Sequence, residues 1–141
     1  MEKSITVTKN GLKYTYQVDM RPHQVELLTG TSLRGYFPDG TTYNELCAVF
    51  GPPNGPTDGY KIDAVWIGMI NGYIFSIYNN KTGRNYLGSK GLPVEKITDW
   101  HIGSKYPEVA DMVVEYFQIV SSIKKQMNVQ RPSVIRKLLL T

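Results

Sequence analysis

Few residues in this 141-residue chain have types and spacing that could do chemistry. His101 follows Asp99 by two positions in the stretch Ile97-Thr98-Asp99-Trp100-His101-Ile102-Gly103. On a strand such residues share a face, so a carboxylate could orient the imidazole for general-base work. A catalytic histidine also needs a nucleophile within reach, and none is paired with it by motif; the residue reads better as a strand-end histidine bonded to backbone or solvent. The single cysteine, Cys47, sits in an apolar helical pattern and reads as a small buried residue kept reduced, not as a nucleophile. His23, Cys47 and His101 lack the close pairing of a structural zinc site, while Asp58 and Asp63 suit loop capping as well as ligation. The expectation is therefore no catalytic residue, no metal and no cofactor.

Phosphate recognition has more support. Thr82 to Gly91, TGRNYLGSKG, holds three glycines with Arg84 and Lys90 and follows Lys81 directly. Free amides and a guanidinium fork can hold a phosphate, although the Gly-Lys-Ser/Thr ending of a Walker loop is missing. An ordinary long hairpin connection accounts for the stretch equally well. Aromatic and basic residues also interleave, as Arg34 with Tyr36, Tyr60 with Lys61, Tyr78 with Lys81, and Arg84 with Tyr86. Rings stack on bases and cations pair with phosphates, so such a surface suits a nucleotide or a single strand. Half-exposed strand tyrosines and surface lysines are also common without any ligand.

Charge adds a further candidate region. The net charge is +4 and the isoelectric point about 9.1. From Phe117 onward there are five basic residues, Lys124, Lys125, Arg131, Arg136 and Lys137, and no acid; the preceding 116 residues hold the other 11 bases against all 12 acids. The tail, with Arg131, Arg136 and Lys137, is a cationic segment for phosphates, acidic proteins or a neighbouring subunit.

The elements that must position these residues are legible in the hydropathy pattern. SITVTKNGLKYTYQV alternates around Asn10-Gly11, the preferred pair of a type I′ hairpin turn. RPHQVELLTG offers a short helix or turn, and SLRGYF a short strand. TTYNELCAVFG carries a capping box, Thr42 with Glu45, and a stop at Gly51, predicting a two-turn helix that buries Leu46, Val49 and Phe50. A second hairpin turns at Asn71-Gly72; counting outward pairs Ile70 with Tyr73, Gly68 with Phe75, and Trp66 with Ile77, the Phe75 ring lying across the glycine. Its other face, with Val65, Ile67, Met69, Ile74 and Tyr78, is also apolar, so the hairpin is either central or covered by another subunit. VEKITDWHIG reads as a strand with Trp100 and Ile102 on one side and Ile97 and His101 on the other. Glu108 to Met127 is the clearest helix, its acids early and its lysines late, and Pro132 separates it from a basic amphipathic tail. The fold class is α+β, an antiparallel sheet built from hairpins and flanked by one short and one long helix. The chain forms one domain, with residues 1–30 an N-terminal hairpin extension, 31–127 the core and 128–141 the tail. With no apolar leader or bilayer-length run, it is expected in the cytoplasm with no membrane partner.

From about Leu33 to Gly103, the motifs LRGY, YNELCAVFGPP, DGYKIDAVW, GYIFSIYNNK, YLG and ITDWHIG resemble a family of small uncharacterised phage and prophage proteins. The resemblance covers about half of the chain and assigns no catalytic residues. It implies a mobile-element origin and a role against host defence. One reading is a non-enzymatic sponge that sequesters a cyclic-nucleotide or other phosphate-bearing immune signal, similar to anti-Thoeris proteins. The alternatives are an anti-CRISPR protein that binds a Cas nuclease of the Cas9 type, and a nucleic-acid-binding phage protein. A homo-oligomer is expected from the two-sided apolar hairpin and the tail.

Overall fold

The computed structural model describes residues 2–21 and 25–140, with side chains through Met127. Strands β1 (Glu2–Lys9) and β2 (Leu12–Asp19) form the first hairpin and β3 (Ser32–Tyr36) follows a 3-10 turn at Val25–Leu28. Helix α1 (Tyr43–Phe50) precedes the second hairpin, β4 (Val65–Ile70) and β5 (Tyr73–Tyr78). The one-turn helix α2 (Arg84–Leu87) leads through two 3-10 turns to β6 (His101–Ser104) and the long helix α3 (Pro107–Leu140). All six strands join one antiparallel sheet in the order β1-β2-β4-β5-β6-β3. The fold is α+β.

Both hairpins turn where the sequence places them, because Asn10, Gly11, Asn71 and Gly72 all adopt the positive φ that a type I′ turn requires. The register of the second hairpin is the expected one, with Gly68 opposite Phe75. A methyl on Gly68 would lie 2.8 Å from the Phe75 ring and closer still to the Met20 sulfur, so these two side chains fill the space that glycine leaves. The first hairpin continues the sheet through Val18↔Ile70 and Asp19↔Met69. Asn71 reinforces that joint, its side chain accepting from the Gln17 amide at 2.8 Å and donating to the Thr15 carbonyl.

One face of the sheet packs on α1 and α3. Trp66 and Trp100 meet edge to face there at 5.4 Å, and Phe37, Phe50 and Phe117 cluster beside them. The capping box starts α1, with the Thr42 hydroxyl accepting from the Glu45 amide at 3.1 Å and the Glu45 carboxylate accepting from the Thr42 amide at 3.0 Å. Gly35 lets α3 approach β3, since a side chain there would meet Ala110 at 3.0 Å. The opposite face buries Val65, Ile67 and Ile74 under Leu28 and Ile62, from the Val25–Leu28 turn and the segment before β4. Of the two explanations for the two-sided apolar hairpin, coverage by the chain itself is the one found for these residues.

Three local expectations are corrected. Ile97 does not alternate with Trp100 on a strand; a 3-10 turn at Val94–Lys96 and the Trp100 indole, donating to the Ile97 carbonyl at 3.0 Å, fold the segment back so that both side chains enter one core. The Gly-rich stretch is not an extended loop but α2 followed by a 3-10 turn at Gly88–Lys90. The backbone of α3 is helical through Pro132 to Leu140, where a break was expected; the proline forfeits one backbone bond in a single turn while its neighbours on both sides continue the ladder. No helix of the described residues is long and apolar enough to cross a membrane.

Candidate ligand-binding site

Because β4 and β5 are antiparallel and Val65 pairs with Tyr78, the segment entering β4 and the segment leaving β5 emerge side by side. Each carries part of the aromatic and basic set. The entering segment is curled by Asp58, whose Oδ1 accepts from the amides of Tyr60 at 2.9 Å, Lys61 at 2.9 Å and Ile62 at 3.0 Å. The Tyr60 amide and the other two hold this carboxyl below its ordinary value of 3.8 despite partial desolvation.

The two segments are then knitted together. Asn79, fully buried at the end of β5, accepts from the Asp63 amide at 2.7 Å and the Ala64 amide at 3.3 Å, and donates to the Asp63 carboxylate at 2.9 Å and the Thr82 hydroxyl at 3.3 Å. Asp63 also accepts from the Asn85 amide, and the Asn85 side chain donates to the Ile62 carbonyl at 3.0 Å. The Lys81 amide donates to the Lys61 carbonyl at 2.8 Å while Lys81 adopts a φ of 63°, a conformation that L residues visit rarely. Gly83 fits flush against the Asp63 carboxylate and Gly91 against the Gly83 carbonyl; a side chain at either would collide. These two glycines serve backbone packing.

On this frame the Tyr60 and Tyr86 rings come to 5.2 Å at 55°. The Lys61 ammonium lies 6.0 Å from the centre of its neighbouring Tyr60 ring, and the Lys81 ammonium 5.6 Å from that of Tyr86. Both tyrosines are exposed, at 54% and 37%. Arg84 is exposed in the same helical turn as Tyr86. Two solvent-facing rings and two ammoniums on a backbone fixed by side-chain hydrogen bonds can stack a planar group and offer cations to an attached anion.

Tyr36, Tyr78 and His101 form a second group. Tyr36↔His101 and Tyr78↔His101 are paired positions, which aligns the three rings across β3, β6 and β5. The imidazole meets Tyr36 at 5.0 Å and Tyr78 at 5.5 Å, both edge to face, and is 8% exposed. Burial, with Tyr36 adding to it, raises the Tyr78 hydroxyl above its ordinary pKa. Asp99 does reach the imidazole, its Oδ1 standing 3.4 Å from Nε2. The hydrogen bonds of the described residues bring no hydroxyl or thiol to that imidazole, and no three of His, Cys, Asp and Glu gather among them.

Arg34 occupies the bulge where the β3 register shifts between Leu33 and Gly35, and is exposed on the outermost strand. The side chains of Arg131, Arg136 and Lys137 lie outside the described residues. Of the polar residues that build the frame, sequence reasoning missed Asn79 and Asn85, and named Asp63 for loop capping or ligation without its partners. One signal was available, the polar pair Asn79-Asn80 closing a strand that is otherwise apolar. Comparison with family models, with curated proteins and with solved structures returned no match.

Proposed function

We propose that this chain is a non-enzymatic binder of a nucleotide or related phosphate-bearing ligand, acting as a phage-encoded antagonist that sequesters a nucleotide immune signal in the host bacterial cytoplasm. The observation that carries the ligand class is the Tyr60–Tyr86 pair with Lys61 and Lys81 set against its rings, on segments held by the Asp58 turn and joined by the Asp63–Asn79 frame. Tyrosine rings supply stacking area at low entropic cost, and the ammoniums supply charge without committing the site to one base. The antagonist role rests on the resemblance of Leu33 to Gly103 to phage and prophage proteins.

Titration calorimetry against cyclic dinucleotides and cyclic ADP-ribose isomers tests the ligand. Binding is expected to fall at least tenfold on Tyr86→Ala, and to weaken with added salt because ammonium and phosphate charges are screened. No heat with any of these compounds sinks the sponge. Inhibition of a Cas nuclease by the purified chain would select the anti-CRISPR reading in its place. Binding to nucleic acid that disappears when residues 129–141 are deleted would select the third.

A further inference from the structure

At the opposite end of the β4–β5 hairpin, Tyr73 and Tyr106 meet edge to face at 6.2 Å, and both are about half exposed. Together they form an aromatic ridge between two grooves. One groove, of about 470 Å³, is bordered by Glu108, Val109 and Met112 at the start of α3. The other, of about 340 Å³, is bordered by Leu27, Met69 and Lys105. Each groove borders both tyrosines, so the ridge is their shared wall.

From this arrangement we infer that the ridge is a self-complementary interface on which a second copy of the chain docks about a two-fold axis. A two-fold interface uses one patch twice, so each feature on the patch must find its complement on the same patch. Here a ridge lies beside grooves that can receive a ridge. A cation, Lys105, borders one groove and an anion, Glu108, the other, so docking ridge into groove sets the Lys105 of each copy against the Glu108 of the other. An unrelated partner would need only one of these complements; a second copy supplies both. Tyr and Met are enriched at interface cores; here the tyrosines are exposed, Met69 and Met112 are half-buried beside them, and Leu27, 45% exposed, extends the apolar area. The inference does not depend on what the Tyr60–Tyr86 site binds.

Sedimentation equilibrium of the full chain across micromolar concentrations tests this. A dimer is expected, with Tyr73→Ala/Tyr106→Ala monomeric at the same concentrations. Lys105→Glu alone and Glu108→Lys alone are each expected to weaken the dimer at least tenfold, because each places like charges across the axis. The double variant Lys105→Glu/Glu108→Lys is expected to recover it, and circular dichroism checks that every variant is folded. A wild type that stays monomeric overturns the inference. So does a dimer indifferent to the tyrosine substitutions, or one that the double charge swap fails to restore.

Discussion

Asn79 and Asp63 hold each other from two sides: the Asn79 side-chain carbonyl accepts from the Asp63 amide at 2.7 Å, and its amide group donates to the Asp63 carboxylate at 2.9 Å. One fully buried side chain thus closes the gap between the segments entering β4 and leaving β5. Removing it strands two amides, those of Asp63 and Ala64, in a place where water reaches poorly. Asn79→Ala should therefore cost about 2 kcal/mol, at the level of a buried donor left unpaired. A urea titration checks this, with the midpoint falling while the slope stays that of the wild type. Asn79→Asp should fare little better, since a carboxylate cannot donate to Asp63 and adds a second anion beside it.

Asp58 gives the site a dependence on acid. Its folded pKa lies below the ordinary 3.8, chiefly because the Tyr60 amide bonds the charged form. A depressed carboxylate contributes stability that is fully present above its unfolded pKa and is lost as the pH falls through the folded one. The stability difference between wild type and Asp58→Ala should hence be constant above about pH 5 and shrink toward zero below it. Chemical denaturation of both proteins from pH 6 to pH 2 measures this. An unchanged difference at the acid end would mean that the charge on Asp58 does not hold the turn.

Gly68 is required by what lies against it. A methyl there meets Phe75, which is fully buried, and the sulfur of the half-buried Met20 at the joint between β2 and β4. Gly68→Ala should cost about 1–3 kcal/mol by overpacking, although alanine suits a strand no worse than glycine does. Met20→Ala in the same chain should recover part of that loss by vacating the space. Thermal melts of the two single variants and the double variant complete the cycle.

Both hairpins, the capping box of α1 and the Gly68–Phe75 pairing were legible in the sequence because each depends on residues close in the chain. An Asn-Gly pair dictates positive φ wherever it falls, and a capping box spans four residues. What was not legible depends on distant partners. Ile97 sits at strand spacing from His101, yet the bond from the Trp100 indole turns it into the Trp100 core. The glycines of the Thr82–Gly91 stretch were legible as a possible phosphate loop, but not that Gly83 packs against the Asp63 carboxylate and Gly91 against the Gly83 carbonyl. At the candidate site the rings and lysines were legible as types, and Tyr60, Lys61, Lys81 and Tyr86 do converge. Tyr36 and Tyr78 converge elsewhere, on His101, because strand pairing and not chain proximity selects their neighbours.

The first hairpin is fastened to α3 at Glu115, which accepts from the Tyr16 hydroxyl at 2.9 Å and pairs with the Lys9 ammonium. Lys9 and then Tyr16 draw the Glu115 carboxyl below its ordinary pKa despite desolvation. The two links differ in worth. The Lys9 ammonium stands in solvent, where such pairs contribute little and salt screens them. Tyr16 is 6% exposed, so its ring belongs to the core while its hydroxyl reaches Glu115. Tyr16→Phe keeps the ring in the core and deletes only this bond, and should cost about 1 kcal/mol, with little change at high salt. Lys9→Met should cost less, and its effect should vanish in molar salt. Hydrogen exchange locates the consequence: β2 is joined to β4 by the Val18 and Asp19 pairings and to the β4–β5 turn through Asn71, so amides of Leu12 to Tyr16 should lose protection in Tyr16→Phe before those of β4 and β5. Equal loss across all strands would show instead that the hairpin opens only when the whole sheet unfolds.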